Sequence, residues 1–197
     1  MSLPVEVVIA PLSISDTTQE ELQGLVKLIN AVYKESEDGL WKKGWDLRRT
    51  NEEKFKDLVS KGEIIVARLN KTTQQKQQQQ EEESQEEIVG CIHCNKVSEE
   101  GFEFGMLVVD PRFRRQGLGK RLIRHVEDCC RGEGARTMQL MLLHPKGWEQ
   151  LPKQILKQWY PSLGYVKCQE LDFMKEYSAI ASGLATECCF TMYKKDL

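Results

Sequence analysis

Apolar residues along this chain follow either a strand-like or a helix-like pattern. The order of these strand-like and helix-like segments predicts a mixed α/β sheet. Residues 5–10 form a β-branched run that ends at Pro11 and is typical of a strand. From Leu22 to Tyr33 the apolar residues recur every three or four positions, which predicts an amphipathic helix. The same patterns predict strands at residues 63–69, 88–97, 101–109, 138–143, 165–173 and 187–193, and helices at 50–62, 117–132 and 152–160.

The predicted order, β-α-α-β-β-β-α-β-α-β-β, indicates one domain over residues 1–197. One segment of the chain has neither a helix nor a strand pattern. Residues 71–87 are almost all Gln, Glu, Lys, Thr and Ser, so they cannot bury enough apolar surface to offset their ordering entropy. We expect a disordered loop there. Its simplest interpretation is a tolerated expansion of a hairpin, and the alternative is a Gln-rich association segment.

The balance of charge excludes several classes of partner. The 197 residues contain 28 Lys and Arg against 30 Asp and Glu, a net charge of -2, so we expect no broad basic face for nucleic acid or anionic membrane. No apolar run approaches the ~20 residues of a membrane span. The first strand has no basic leader, so we expect no secretory signal and a cytoplasmic or nuclear location.

Cysteine usage indicates a reducing compartment and no metal. The chain has seven cysteines, an odd number, and most of them lie inside apolar runs as buried free thiols do. The one C-x-x-C pair, Cys91 and Cys94, falls in a predicted strand. Alternation along a strand would point the two sulfurs to opposite faces, which argues against a zinc or redox centre.

The most informative stretch is residues 101–120, where a strand is followed by a Gly-rich basic turn and an amphipathic helix. Gly117 and Gly119 have no side chains to keep an anion from the main-chain N–H groups at the start of that helix. Positive charge is added by Arg114, Arg115 and Lys120. The stretch therefore predicts a cradle for a pyrophosphate.

The glycine pattern fits one family. Neither a Walker G-x-x-x-x-G-K-[ST] nor a G-x-G-x-x-G dinucleotide fingerprint is present. Residues 114–119 read R-x-x-G-x-G, which resembles the GNAT superfamily of acyl-CoA-dependent N-acyltransferases. A second match, Trp159 to Tyr165, is similar to the aromatic-Tyr-x-x-x-Gly-aromatic ending of that family's last helix. The resemblance implies a mixed, mostly antiparallel, twisted sheet of six to seven strands flanked by about four helices.

The resemblance also implies an activity, the transfer of an acetyl group from acetyl-CoA directly to a primary amine, without metal. The main chain of Leu107, Val108 and Val109 would pair with the pantetheine. The pyrophosphate would bind at Arg114, Arg115, Gln116, Gly117, Leu118, Gly119 and Lys120, and Tyr160 would protonate the leaving thiolate. Departures from the family pattern are Lys153 and Leu156, where relatives often have Asn and Ala, and Pro161, which we expect to keep Tyr160 out of helical conformation.

Two residues are candidates for the base that deprotonates the amine. Glu103 is the first; strand alternation would place it on one face with Gly105 and Leu107, opposite Phe102, Phe104, Met106 and Val108. Burial would raise its pKa toward neutrality, whereas a solvent-facing strand charge is the plain alternative. His144 is the second candidate, and its alternative is a loop histidine without a catalytic part.

The acceptor would lie, by the same resemblance, between the link joining the first two helices and the loop after the fifth strand. Those segments contain Tyr33, Glu35, Trp41, Trp45, His144, Lys146 and Trp148. Aromatic rings and carboxylates suit an ammonium ligand, although Trp41 and Trp45 could instead anchor a helix to the core. We expect a small amine or amino acid; the alternatives are a protein lysine or N-terminus, or a non-catalytic acyl-CoA-binding module. Residues 175–186 would form a lid or a homodimer interface.

Overall fold

Seven strands form one sheet in the computed structural model, which describes residues 7–46, 48–70 and 86–197. The strands are β1 Val7–Pro11, β2 Ile64–Asn70, β3 Glu86–Ser98, β4 Gly101–Val109, β5 Thr137–Pro145, β6 Val166–Asp172 and β7 Cys188–Asp196, in the order β1-β2-β3-β4-β5-β7-β6. Every neighbouring pair is antiparallel except β4 and β5. The predicted fold class is confirmed. Most of the predicted disordered loop, residues 71–85, lies outside the described residues, so that expectation stays a prediction.

Four helices of two turns or more cover the sheet: α1 Gln19–Ser36, α2 Glu52–Ser60, α3 Leu118–Gly132 and α4 Leu151–Ser162. Two single-turn helices, α5 Phe173–Glu176 and α6 Ser178–Ala181, lie between β6 and β7. Thr18 caps α1 in a capping box with Glu21. Asn51 caps α2, because its side chain accepts a hydrogen bond from the main chain of Lys54 at 2.9 Å. None of the helices in the described part of the chain has the length and apolarity needed to cross a membrane.

The sheet has two covered faces. Helices α1 and α2 pack on one, here called the α1 face, where Ile29, Phe55 and Val66 are buried. Helices α3 and α4 pack on the other, the α3 face, whose core includes Phe104 and Leu122. A third cluster joins the segment between β6 and β7 to the ends of β5 and β7.

Strands β4 and β5 separate from each other along most of their length. They pair only where Gly101–Glu103 lies beside Thr137–Gln139. Beyond that point their carboxyl-terminal halves, residues 105–109 and 140–145, do not pair with each other. The opening between these halves is called the fork. It leaves one edge of β4 with main-chain groups that another hydrogen-bonding chain can use.

A β-bulge in β4 changes which residues face the helices, and the expected alternation is wrong from Met106 onward. Cys91 pairs with Val108 and His93 with Gly105, so one extra residue of β4 is accommodated, and Met106 adopts a φ of 45°. Met106 and Val108 therefore lie in the core of the α1 face. On the α3 face, Leu107 and Val109 pack against the cluster that contains Phe102 and Phe104. Leu107 thus does not share the face of Glu103.

Candidate active site

The turn after β4 presents main-chain N–H groups to solvent. Arg115 and Gly117 adopt left-handed φ angles of 62° and 78°, which reverse the chain just before α3. Gly117 occupies the N-cap position, so no side chain caps α3. The first N–H groups of the helix therefore lack side-chain acceptors and, with the helix dipole, form a site for an anion. Leu118 buries its side chain and offers only its main chain.

The polar side chains of this turn are exposed around it, namely Arg114, Arg115, Gln116 and Lys120. Arg114 also contacts the acceptor side of the molecule. Its guanidinium donates two hydrogen bonds to the carboxylate of Glu35, at 3.0 and 2.8 Å, and holds the pKa of Glu35 below its ordinary value. The structure thus brings a predicted cofactor residue and a predicted acceptor residue together. Because both side chains are largely exposed, the pair is weak enough to exchange for a phosphate.

Gly119 lies where the turn, the end of β4 and α4 converge. A Cβ at Gly119 would lie 3.3 Å from the indole of Trp159 and 3.8 Å from Val109. Any larger side chain would have to displace the Trp159 ring. The second glycine of the motif is therefore required by close packing between α3 and α4, whereas Gly117 is required by its left-handed φ.

Tyr160 lies on α4 among aromatic rings. Its ring centroid is 6.2 Å from Phe104, 6.3 Å from Tyr165 and 5.9 Å from Tyr193, and only 7% of the residue is exposed. Burial raises the pKa of Tyr160 above its ordinary value, with a further contribution from Tyr33. No described side chain hydrogen-bonds its hydroxyl. The phenol is therefore protonated at neutral pH and available to a ligand.

Pro161 does not exclude Tyr160 from the helix, contrary to expectation. Helix α4 continues through Pro161 to Ser162. Proline removes one intrahelical hydrogen bond, and in the last turn of a helix that loss is limited because the helix ends one residue later. Tyr160 is therefore held by regular helical backbone, which gives its ring a defined position in the core.

Glu103 lies on the last rung that β4 shares with β5, at the closed end of the fork. Its carboxylate accepts a hydrogen bond from the side-chain amide of Gln139 at 2.7 Å. Phe102 and Phe104 on either side pack on the α3 face, so Glu103 points toward the α1 face. The side chain is half-buried. The carboxylate is therefore held by Gln139 at the closed end of the fork.

The end of α1 meets the start of α4 across the open end of the fork. The ammonium of Lys153 lies 3.7 Å from the carboxylate of Glu37, and both residues are buried. The indole of Trp41 donates to Glu37 at 2.9 Å, and the amide of Gln150 donates to the main-chain carbonyl of Asp38 at 2.6 Å. Burial lowers the pKa of Lys153, and Glu37 partly opposes that shift. The lysine at the family's Asn position is therefore a member of a buried ion pair.

Two segments form a roof over the α1 side of this region: residues 37–45 and residues 173–186, together called the acceptor roof. The main chains of Lys42 and Gly183 bond at 2.8 Å, and those of Ala185 and Leu40 at 2.9 Å. The three tryptophans of the prediction contact this roof: Trp41 meets Phe173 edge-on, Trp45 packs on Gly183, and Trp148 donates to Thr186 at 3.3 Å. Trp41 and Trp45 follow α1 rather than anchoring a helix. Lys146 forms an ion pair with Asp172.

Comparison with known proteins identifies the family. The family model described as an acetyltransferase (GNAT) domain matches residues 62–167, more than half of the chain. The chain belongs to the GNAT family. No protein with a curated description matches the sequence.

Solved GNAT structures share the fold over nearly the whole chain. PaiA N-acetyltransferase from Thermoplasma acidophilum, in complex with coenzyme A, superposes with a TM-score of 0.64 at 14% identity over 98% of this chain and 99% of its own. The NatC complex bound to Gag peptide and CoA gives 0.61 at 16% over 98% and 99%. A GNAT acetyltransferase from Elizabethkingia anophelis with acetyl-CoA bound gives 0.59 at 14% over 97% and 98%. At these identities the likeness shows the fold alone.

His144 lies in β5, on the α3 face, and not in a loop. Its Nδ1 lies 3.1 Å from the ammonium of Lys157 and 3.0 Å from the main-chain carbonyl oxygen of Pro145, and its Nε2 lies 2.8 Å from Thr191 Oγ1. Burial lowers the pKa of His144. Donor atoms of His144, Cys189 and Glu170 lie within 4.8 Å of one another, as metal ligands could, but both imidazole nitrogens already have partners. Among the described residues, the printed contacts of His144 are with Pro145, Lys157, Cys189 and Thr191, and none is with Tyr33, Glu35, Trp41 or Trp148.

Sequence reasoning missed two charged residues that contact the predicted acceptor residues Tyr33 and Trp41. Glu37 follows Tyr33 by four positions and precedes Trp41 by four, so extension of the α1 stripe by one turn could have found it. The guanidinium of Arg49 lies 4.8 Å above the ring of Tyr33. No periodic signal marks Arg49, because it lies in an irregular segment between α1 and α2.

Proposed function

The chain is an acyltransferase of the GNAT family, and we propose that it transfers acetyl from acetyl-CoA directly to a primary amine of a small molecule or amino acid. One observation carries the proposal. The fork leaves one edge of β4 unpaired. The carboxyl end of that edge leads to the uncapped N-terminus of α3, and the buried phenol of Tyr160 packs near the strand at Phe104. Coenzyme A has the matching order of groups: a pyrophosphate, a pantetheine with amides, and a thioester.

The cofactor would occupy this path as follows. The pyrophosphate binds the N–H groups of Leu118, Gly119 and Lys120, where Arg115 and Lys120 add positive charge and Gln116 an amide. Arg114 exchanges its carboxylate partner for a phosphate oxygen. The pantetheine amides pair with the main chain of Leu107, Val108 and Val109, which extends the sheet into the fork.

Tyr160 would assist departure of the thiolate. Its raised pKa keeps the phenol protonated, so it always presents a hydrogen to the sulfur. In water a thiolate would be too weak a base to take that proton, but burial raises the pKa of a thiol as well. Within the fork the phenol therefore stabilises the leaving sulfur by a hydrogen bond and passes its proton as the sulfur becomes more basic.

Glu103 would take the proton from the amine. It lies at the closed end of the fork and faces the α1 side, from which the acceptor would approach under the acceptor roof. Gln139 holds one oxygen of the carboxylate in place and leaves the other for an ammonium or a water. Tyr33, Glu35, Trp41 and Trp148 would line the approach. His144 is already bonded through both ring nitrogens, so Glu103 is preferred as the base.

An amine screen with acetyl-CoA, read by release of free thiol, tests the proposal. We expect Gly117→Glu and Gly119→Glu to abolish acetyl-CoA binding in calorimetry while the circular dichroism spectrum stays that of the wild type. We expect Tyr160→Phe to bind acetyl-CoA normally and to lose turnover. Wild-type protein that binds acetyl-CoA but acetylates no amine would instead indicate a binding module.

A protein amine is the second candidate acceptor. The NatC complex, which shares this fold, was solved bound to a peptide. Peptides with free N-termini and peptides with one lysine belong in the same screen. A preference of about 100-fold in kcat/KM for peptides over every small amine would favour this second function.

A further inference from the structure

We propose that the acceptor amine carries an anionic group, in the first place a carboxylate, which binds Arg49. The inference rests on the proposed acetyl transfer and names the acceptor class of the same site. It follows from the way in which the charges at the acceptor side are paired.

Two carboxylates near the predicted acceptor residues, Glu35 and Glu37, already have cationic partners. Glu35 accepts two hydrogen bonds from Arg114. Glu37 is buried, lies 3.7 Å from the ammonium of Lys153 and accepts a hydrogen bond from Trp41. These two acids therefore offer little net negative charge to a ligand.

The aromatic surface expected to attract an ammonium is also occupied. The guanidinium of Arg49 lies over the ring of Tyr33, 4.8 Å from its centroid, where a ligand cation would otherwise bind. Tyr33 is partly buried against the core of the α1 face, where charge is screened less than in bulk water, and burial raises the pKa of its phenol. A simple alkylammonium would meet a cation on this ring and not a free aromatic face.

Arg49 itself lacks an anionic partner. No carboxylate of residues 7–46, 48–70 or 86–197 forms an ion pair with it within 4.0 Å, whereas its neighbour Arg48 pairs with Asp46 at 2.8 Å. A carboxylate that contributes to its electrostatic environment is Glu37, which is already paired with Lys153. Arg49 is exposed as a whole residue, and its guanidinium packs on the ring of Tyr33.

The remaining carboxylate of the proposed mechanism is Glu103, at the closed end of the fork. Glu103 has an amide as its partner and is free to take the proton of the amine. An acceptor with an amine toward Glu103 and an anion toward Arg49 would pair both charges, as an α-amino acid or an acidic peptide N-terminus does. A polyamine would bring a second cation to Arg49 and is disfavoured.

Matched acceptors test the charge requirement. The probes are phenylalanine, leucine and glutamine, each compared with its amide and its decarboxylated amine, with kcat/KM corrected for the fraction of free amine; spermidine is the polyamine. We expect the carboxylate member of at least one set to be preferred about 10- to 100-fold, the ratio that one charge-assisted hydrogen bond supplies.

Variants of Arg49 connect that preference to the residue. Arg49→Gln should raise KM for the carboxylate acceptor about 10-fold or more and change kcat/KM for its amide less than about 3-fold. Arg49→Lys should restore part of the preference, and Arg49→Glu should reverse it. Arg48→Gln, which breaks a surface ion pair one residue away, is the matched control and should leave every ratio unchanged.

Two results would overturn the inference and leave acetyl transfer standing: a preference for the amides or decarboxylated amines, or equal losses for all acceptors in Arg49→Gln. Acetylation of spermidine above all amino acids would count in the same way. If no amine reacts while calorimetry shows intact acetyl-CoA binding, the proposed function fails and this inference with it.

Discussion

Loss of the positive charge at Lys153 should destabilise the fold strongly, because it leaves a carboxylate buried. Glu37 is 7% exposed and Lys153 5% exposed, so neither charge is solvated by bulk water. In Lys153→Met a side chain of similar length fills the space, and the carboxylate retains only the hydrogen bond from Trp41. Removing one partner of such a buried pair costs about 3–5 kcal/mol of unfolding free energy.

The double variant separates the charge from the packing. Glu37→Gln combined with Lys153→Met removes both charges and keeps an acceptor for the indole of Trp41. Its unfolding free energy should recover most of the single-variant loss, since a buried ion pair and its uncharged replacement are often close in stability. The assay is urea unfolding followed by tryptophan fluorescence, with unchanged m-values as the check on two-state behaviour.

A surface pair provides the control. Lys61 and Asp57 lie 2.6 Å apart on α2, closer than the buried pair, but both are exposed. Lys61→Met should leave the urea midpoint within experimental error. The reasoning would be refuted if Lys153→Met shifted the midpoint as little as Lys61→Met, or if the double variant were as unstable as the two single losses added together.

Three further variants probe other contacts. Gly119→Val should lower acetyl-CoA affinity at least about 10-fold in calorimetry, because its side chain would displace the Trp159 ring from the pyrophosphate turn; unchanged affinity would contradict this. The pKa of His144 is lowered in the folded state, so the unfolded state binds more protons and the free energy of unfolding should fall as pH drops below ~6.5. In urea titrations between pH 7 and 5.5, His144→Gln should make the free energy of unfolding depend less on pH. Gly183→Ala should push Trp45 off the acceptor roof and raise KM for the amine without changing acetyl-CoA affinity.

Local patterns were sufficient to predict the elements and the position of the Gly-rich turn before α3. Apolar periodicity reflects which side chains of a helix or strand face the core. The pattern is set by residues only a few positions apart in the sequence. The two glycines of the turn act through left-handed backbone at Gly117 and through close packing at Gly119, both of which follow from the absence of a side chain. Such features are encoded within a few residues, so they can be read without the fold.

The bulge in β4 and the charge pairing could not be predicted in the same way. Nothing in the residues Gly105-Met106-Leu107 distinguishes a bulged strand from a regular one, because the extra residue is defined by the partner strand β3. Glu35 looked like a carboxylate for an amine until the fold placed Arg114 against it, 79 positions away in sequence. Partners at such separations depend on the whole topology.

Lys153, where relatives often have Asn, and Glu37 form a buried ion pair, so each residue accounts for the other's charge in the core. A lysine at a buried position of α4 would carry an unpaired charge unless a carboxylate reached it, and the end of α1 supplies one across the open end of the fork. Once that carboxylate is neutralised, the electrostatic character of the acceptor side depends on Arg49, which lies over Tyr33. In the proposed reaction, a lysine in place of the amide would thereby disfavour a simple cation and favour an amine that also carries an anion.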